Sequence, residues 1–179
     1  MADTQRTIAE LLALLADNST GDISEQDLRD VVVSLANSYG GFHVSTPIET
    51  AIALVNTPVK ALGTTTVSGA VRGMDMPADN RLRYTGAPTR FHTIRAALSV
   101  ISAASNKVFE FYIAKNGVVD TTSGIRRKQG TSSDEGALAL EFHIQLAQND
   151  YVEVWVENVT DASNMTITRM VLTGEGLVE

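Results

Sequence analysis

The 179-residue chain contains no cysteine, which excludes disulfide bridges, thiolate nucleophiles and thiolate metal ligands. It also lacks any run close to the roughly 20 apolar residues that a membrane-spanning helix needs. An excess of basic residues is missing as well, because the net charge is −7 at pH 7. Broad nucleic-acid binding requires a basic face that displaces counterions. We therefore expect neither membrane insertion nor nucleic-acid binding.

The acidic charge is concentrated near the N-terminus. Residues 1–40 contain seven acids and two bases, a balance of −5, so the other 139 residues together carry −2. Within this part, residues 4–16 and 24–39 have apolar side chains at helical spacing. Ser24 is a good N-cap for the second segment, and Gly40-Gly41 is typical of a helix stop. We predict a helical arm over residues 1–45.

The function predicted for this arm follows from the shortness of its helices. Two short amphipathic helices cannot bury their apolar stripes alone. They must pack on each other, on the rest of the chain, on copies of themselves or on another protein. We predict that the arm attaches or orients the protein. The candidate attachment residues are Leu11, Leu12, Leu15, Leu28, Val32 and Leu35.

Residues 46–179 show no helical period, and short alternating runs are separated by turn signals. The longest alternation lies in residues 136–159, where two runs flank the turn residues Gln148-Asn149-Asp150, and we interpret it as a hairpin. Its core-facing side chains are predicted to be Leu138, Leu140, Phe142, Ile144, Leu146, Val152, Val154 and Val156. We predict a connector over residues 42–47, a first strand at 51–55 and loops at 69–80 and 124–136. Eight to ten strands without crossover helices indicate a mainly β protein, an antiparallel jelly-roll β-sandwich over residues 46–179.

The side chains opposite these core stripes are candidates for a subunit contact. Tyr151, Glu153 and Trp155 alternate with the core-facing valines, and His143 alternates with the Leu/Phe stripe. An exposed Trp on a sheet is unusual in a monomer and ordinary in an interface. The alternative is that the arm helices or the second sheet cover the two aromatic rings.

No arrangement of residues indicates catalysis or metal binding. The spacing of His43, His92 and His143 matches no metal motif, and neither a nucleophile elbow nor a phosphate-cradling loop is present. Glu141 and Glu153 resemble solvated or interfacial strand carboxylates more than a glycosidase pair. We predict that the protein is not an enzyme and uses no cofactor.

One basic cluster, Arg126-Arg127-Lys128, stands out in the acidic chain. Charged residues on an edge strand discourage pairing with another sheet, and we favour this interpretation. The alternative is a contact with an acidic neighbour or with an anionic surface glycan.

The order of the β runs resembles a known family. TIRAALSVIS, KVFEFYIAKNG, LALEFHIQLAQNDYVEVWVEN and MTITRMVLTGE, within roughly residues 50–173, resemble the trimeric jelly rolls of the tumour-necrosis-factor and complement globular-head type in their phage form. The most recognisable tract is L-x-x-x-D-x-V-x-V-x-V-x-N, from Leu146 to Asn158. GDISEQDLRDVVVSL is similar to a short helical element found ahead of β domains in tailed-phage structural proteins.

This resemblance implies a homotrimer with a structural role in a virion. The trimer contact would then use Tyr151, Trp155, His143 and Glu153. The implied function is a capsid decoration, or cement, protein, made in the host cytoplasm and bound on the outer capsid surface to the major capsid protein or another virion protein. The alternative is a head or tail fibre tip that recognises a host surface glycan. A fibre tip usually needs a long shaft, and no heptad, collagen or β-helical run is present to build one.

Overall fold

The computed structural model describes residues 4, 6–15, 23–131 and 134–177, and over these ranges the chain forms two short helices followed by thirteen strands in two antiparallel sheets. Helix α1 spans Ile8–Leu15 and helix α2 spans Glu25–Leu35. Neither helix in these ranges is long and apolar enough to cross a bilayer. The prediction of a mainly β jelly-roll sandwich preceded by short helices is confirmed.

The first sheet is built around the last strand of the chain. Its strand order is β11-β7-β13-β1-β4, and β2 pairs with the N-terminal end of β13. The strands are β1 (Tyr39–Pro47), β2 (Glu49–Thr50), β4 (Gly63–Val67), β7 (Arg90–Ser102), β11 (Gly136–Leu146) and β13 (Met165–Gly176).

The second sheet faces the first across the core. Its strand order is β10-β8-β12-β6-β5, with β3 paired to β12 and β9 paired to β8. The strands are β3 (Val59–Lys60), β5 (Met74–Ala78), β6 (Arg81–Tyr84), β8 (Lys107–Lys115), β9 (Val118–Val119), β10 (Ile125–Gln129) and β12 (Tyr151–Asn158). A short 3-10 helix, Thr121–Ser123, follows β9.

The predicted side chains fill the core, but the predicted hairpin is wrong. Leu140, Ile144 and Leu146 of β11 are buried, as are the three valines of β12, whereas Leu138 and Phe142 are half-buried against the same cluster. Strand β11 pairs with β7 in the first sheet, and β12 pairs with β8 in the second. The turn between them, in which Asn149 has a φ of 71°, therefore crosses from one sheet to the other. Both stripes face one core from opposite sides.

Helix α2 begins as predicted and ends earlier than predicted. Ser24 caps it in a capping box with Asp27, because each side chain accepts a hydrogen bond from the other residue's backbone N–H. The helix ends at Leu35, and Gly40-Gly41 lies in β1 instead of forming the helix stop. At Gly41 an added Cβ would lie 2.5 Å from the Leu172 carbonyl oxygen, so the close approach of β13 explains this glycine.

Four segment predictions also differ from the structure. The connector predicted over residues 42–47 belongs to β1, which pairs on both sides within the first sheet. The strand predicted at 51–55 is absent, and the predicted loops 69–80 and 124–136 contain β5 and β10. Residues 39–45, which the sequence assigned to the arm, thus form sheet. We use "body" for the two sheets, residues 39–177, and "arm helices" for α1 and α2.

Candidate functional site

Helix α2 exposes three apolar side chains and buries two polar ones. Asp30 and Ser34 are each 1% exposed, whereas Leu28 and Val32 are 57% and 68% exposed and Leu35 is also exposed. An amphipathic helix on a folded domain normally has the opposite orientation. We call Leu28, Val32 and Leu35 the arm stripe. It is an apolar surface that a partner can cover.

Hydrogen bonds from the start of the chain hold the buried polar face of α2. Asp30 accepts from the Thr4 backbone N–H at 2.8 Å and from Arg6 Nε at 2.9 Å. The Ser34 hydroxyl oxygen accepts from the Arg6 backbone N–H at 2.7 Å. The Thr4 hydrogen bond, together with those from Gln26 and Arg6, lowers the pKa of Asp30. Asp30 therefore stays ionised and fixes the N-terminal segment on α2.

Arg90 joins the C-terminal end of α2 to the body. Its guanidinium donates to the Ala36 carbonyl oxygen at 3.1 Å and makes a shorter hydrogen bond to the Ser34 carbonyl oxygen. The last carbonyls of a helix lack intrahelical partners and favour a nearby positive charge. Because Arg90 is the first residue of β7 and is buried, it fixes the helix end against the first sheet.

The six predicted attachment residues have three different outcomes. Leu12, Leu28, Val32 and Leu35 are exposed, and Leu11 is buried. Leu15 ends α1, but its side chain lies outside the described residues. Attachment through these residues stays a prediction, and four of the six are accessible to a partner.

The outward face of the first sheet is a second large accessible surface. Successive rows across β11, β7 and β13 hold His143–Thr93–Glu175, Glu141–Arg95–Thr173 and Ala139–Ala97–Val171. Arg95 Nε lies 3.2 Å from Glu141, and Arg95 Nη1 lies 3.9 Å from Glu175. Exposed Phe91, Val171 and Tyr39 lie on the same face. We call this surface the outer face of the first sheet.

The four predicted trimer-contact residues do not share one surface. His143 is exposed on the outer face of the first sheet, where Nδ1 lies 3.0 Å from the Thr93 hydroxyl. Tyr151, Glu153 and Trp155 lie on β12 in the second sheet. Tyr151 and Trp155 are half-buried, and the Arg81 guanidinium stacks 3.8 Å from the centroid of the Tyr151 ring.

Glu153 is buried within its own chain at 1% exposure. One carboxylate oxygen is 2.9 Å from Lys60 Nζ and 2.8 Å from Arg81 Nη2. The other accepts a hydrogen bond from Trp155 Nε1. Burial alone would raise the pKa of Glu153, but the hydrogen bonds from Lys60, Trp155 and Arg81 outweigh burial and lower it. Glu153 is thus an ionised residue paired inside the body.

The basic cluster lies on an edge strand, as the solvated-edge interpretation expects. Strand β10 ends the second sheet, and Arg126, Arg127 and Lys128 are exposed. Arg126 Nε pairs with Glu110 at 2.6 Å, whereas Arg127 and Lys128 form no ion pair within the described part of the chain.

Metal-binding chemistry is not assembled in the part of the chain that the structure describes, where no group of three His, Asp or Glu side chains could hold an ion. The three histidines lie apart and contact three different hydroxyls: His43 contacts Ser68, His92 contacts Ser38, and His143 contacts Thr93.

Sequence reasoning missed the arm contacts of Asp30, Ser34 and Arg90. The helical spacing of Asp27, Asp30 and Ser34 places them on one face, but spacing alone does not indicate that this face is buried.

Comparison with solved structures places this architecture among tumour-necrosis-factor-like jelly rolls. The chain is similar to murine APRIL, with a TM-score of 0.54 at 11% identity over 78% of this chain and 99% of that one. It is also similar to Eiger TNF from S. frugiperda, with a TM-score of 0.51 at 7% identity over 80% of this chain and 94% of that one. PRD1 vertex protein P5 aligns with a TM-score of 0.44 at 11% identity, over 79% of this chain and 97% of that one.

At the sequence level, no family model and no curated protein matches this chain. The TM-scores above 0.5 with murine APRIL and Eiger TNF show a common fold, at sequence identities of 11% and 7%. A fold of this kind hosts many functions, so function has to be argued from the surfaces of this chain.

Proposed function

We propose that the protein is a non-enzymatic virion structural protein, a homotrimeric capsid decoration protein whose arm helices bind the outer capsid surface of a phage. The observation that carries this proposal is the outward orientation of the arm stripe. A helix that exposes Leu28 and Val32 while burying Asp30 is built to contact something beyond its own body. The resemblance of the β runs and of GDISEQDLRDVVVSL to phage structural proteins supports the virion role.

The arm stripe indicates the chemistry of its partner. An amphipathic helix binds a protein surface by laying its apolar face in a groove. Glu25, one helical turn before Leu28, is exposed beside the stripe, and the first 40 residues have a balance of −5. We propose an apolar groove bordered by Lys or Arg on the major capsid protein or another virion protein.

A single arm is a weak binder. Three side chains contribute about 1.5–3 kcal/mol each when fully buried. Association itself costs roughly 4–15 kcal/mol, so little net affinity is left for one arm. Three arms on one trimer can strengthen binding by about 10²–10⁴-fold, provided that they engage together. Attachment by short arms therefore requires the oligomer.

The outer face of the first sheet is the surface that we propose for the trimer contact. Its central charges, Arg95 with Glu141 and Glu175, are already paired within one chain. Burying this face therefore leaves Arg95 with its partners. A closed ring lets this face meet a different patch of the next copy without forming a filament. The contact predicted at Tyr151 and Trp155 stays a proposal, and the two surfaces are distinguished by substitution below.

Immunogold electron microscopy tests the virion location. An antibody raised against the purified protein should label the capsid surface of virions from the phage that encodes it. Label confined to a fibre or tail tip would favour the fibre-tip function. Virions without any label would reject both virion functions.

A pair of charge substitutions tests attachment by the arm. The double variant Leu28→Glu with Val32→Glu should fold and keep its oligomeric state, since both positions are exposed. Its binding to virions stripped of the native protein should fall more than about tenfold, because two apolar contacts are lost. Val118→Glu, at an exposed position on β9, is the matched control and should bind normally. Equal binding of the arm variant and the control would place attachment elsewhere.

A fibre tip that binds a host surface glycan is the second candidate, favoured by exposed Arg127 and Lys128 on edge strand β10. In that case Arg127→Glu with Lys128→Glu should reduce adsorption of virions to host cells. The same variant should leave occupancy of the virion by the protein unchanged.

A further inference from the structure

His92 lies buried where α2 meets the body, with 0% of its surface exposed. Its Nδ1 is 3.0 Å from the Arg90 carbonyl oxygen, and its Nε2 is 3.0 Å from the Ser38 hydroxyl. A carbonyl only accepts, so Nδ1 carries the proton. Nε2 of the neutral ring then accepts from Ser38. The hydrogen-bond partners thus select one neutral tautomer of His92.

Ser38 is the point at which the chain passes from the arm to the body. It lies between the end of α2 and the start of β1, and its carbonyl oxygen accepts from the Gly176 N–H at 2.8 Å. Arg90 holds the preceding carbonyls of Ser34 and Ala36. Arg90 and His92, the first and third residues of β7, therefore both contact the segment that joins α2 to β1.

The described surroundings of the His92 ring contain no negative charge to offset a protonated imidazole. On its own strand His92 shares the buried face with Arg90, whose charge disfavours protonation of the ring, and from β6 it meets Tyr84, whose ring centroid is 4.5 Å away. The Tyr84 hydroxyl donates to the Pro88 carbonyl oxygen at 2.7 Å. From β13 it meets Gly176, where an added Cβ would lie 2.8 Å from Nε2. Among the described residues that contact the ring, none is a carboxylate.

We propose that His92, Arg90 and Ser38 form an acid-sensitive latch that fixes α2 to the body at neutral pH and releases it in mildly acidic solution. Protonation places a second buried cation beside Arg90 and removes the acceptor that Ser38 uses. Opening the junction exposes the ring to water, which solvates the new charge and supplies the Ser38 hydroxyl with another acceptor. The latch does not depend on what the arm stripe binds, so it stands or fails separately from the proposed function.

The direction of the pH effect follows from linkage. Burial lowers the pKa of His92. The charge of Arg90 acts in the same direction, and the hydrogen bond to the Arg90 carbonyl oxygen acts against it. The closed junction therefore binds fewer protons than the open one, and acid favours opening. With an open-state pKa of about 6.5, the open population should rise between about pH 7.5 and about pH 5.5, by at most about tenfold.

Hydrogen–deuterium exchange on the full chain tests the latch. After correction for the chemical exchange rate, peptides covering residues 25–38 should show a larger opening constant at about pH 5.5 than at about pH 7.5, by up to about tenfold. A peptide from β11 serves as the core reference and should show no such change. His43→Gln and His143→Gln, at histidines away from the junction, should keep the full pH effect. His92→Gln should abolish it.

An NMR titration of the wild-type imidazoles provides a readout that survives misfolding of the His92 variant. The His92 ring should keep its Nδ1–H tautomer in the closed state well below about pH 6.5. Titration of His92 near that value while α2 stays protected would overturn the latch. So would equal protection of residues 25–38 at both pH values, or loss of the effect in His143→Gln alone.

Discussion

Trp155 donates its indole N–H to Glu153, two residues earlier on the same strand, with Nε1 and Oε2 3.1 Å apart. The polar tip of the indole is therefore satisfied inside its own chain. The same carboxylate forms ion pairs with Lys60 and Arg81. Trp155 thus belongs to an internal network, which its position opposite the core valines did not reveal.

Removing the Glu153 carboxylate should destabilise the body. Glu153→Ala leaves Lys60, Arg81 and the Trp155 indole without their shared acceptor, and we expect a loss of about 1–3 kcal/mol in the free energy of unfolding. Lys60 and Arg81 are part-exposed and can turn toward water, which keeps the loss below that of a fully buried pair. Urea denaturation measures it. Glu141→Ala, which breaks an exposed pair with Arg95, is the control and should cost less than about 1 kcal/mol.

The Glu153 network should also make stability depend on pH. Because the pKa of Glu153 is lowered in the folded protein, its contribution is present above the unfolded value of about 4.3 and is lost as pH falls toward the folded value. Glu153→Gln removes this titration. The difference in unfolding free energy between wild type and Glu153→Gln should shrink as the pH of the urea titration falls below about 4.3. A difference that stays constant with pH would contradict the assignment.

Alternation in the sequence identified which side chains face the core, because the pleat sends neighbouring residues to opposite sides. It did not identify the strand that each run pairs with. Leu140 and Val154 face one core from two sheets, and the local pattern of a hairpin would be the same. Pairing depends on contacts such as β11 with β7, which are distant in sequence and leave no local signal.

The arm was predictable in position but not in orientation. The apolar spacing of Leu28, Val32 and Leu35 located α2, and the usual expectation is that such a stripe is buried. Its polar face is held instead by backbone N–H groups of Thr4 and Arg6. Backbone donors and the carbonyl contacts of Arg90 carry no residue pattern, so sequence reasoning could not find them.

Leu140→Ala should cost about 2–5 kcal/mol of unfolding free energy, because it leaves a cavity at a site that is 2% exposed. Phe142→Ala should cost less than full burial would imply, since Phe142 is half-buried. Ala139→Ser, at the exposed position just before Leu140, should stay within about 0.5 kcal/mol of wild type. Thermal or urea unfolding ranks the three. Equal losses at residues 139 and 140 would show that the register of β11 is wrong.

Gly41→Ala should destabilise the first sheet by about 1–3 kcal/mol through overpacking. The new Cβ would lie 2.5 Å from the Leu172 carbonyl oxygen, and both partners are backbone that cannot move aside. Gly130→Ala provides the control, because its Cβ would meet only the flexible end of Asp134. Comparable unfolding midpoints for the two variants would mean that β1 and β13 are farther apart than described.

Two substitutions should separate the proposed trimer contacts. If the outer face of the first sheet is the contact, Val171→Glu should convert the trimer to monomers, and Trp155→Glu should leave it intact. The reverse result would assign the contact to β12. Light scattering with circular dichroism measures the mass and the folding of each variant. A monomeric wild-type protein at micromolar concentration would reject the trimer itself.

Strand β13 lies between β7 and β1, so the body's first strand pairs with its last, with Tyr39 opposite Glu175. On the ribosome, β1 emerges long before its partner exists. At roughly 5–20 residues per second, β1 waits on the order of ten seconds. During that time the nascent chain has an unpaired strand with an apolar face, which is a substrate for chaperones. A translation product that stops before Met165 lacks the central strand of the sheet, so only chains read through β13 can complete the first sheet.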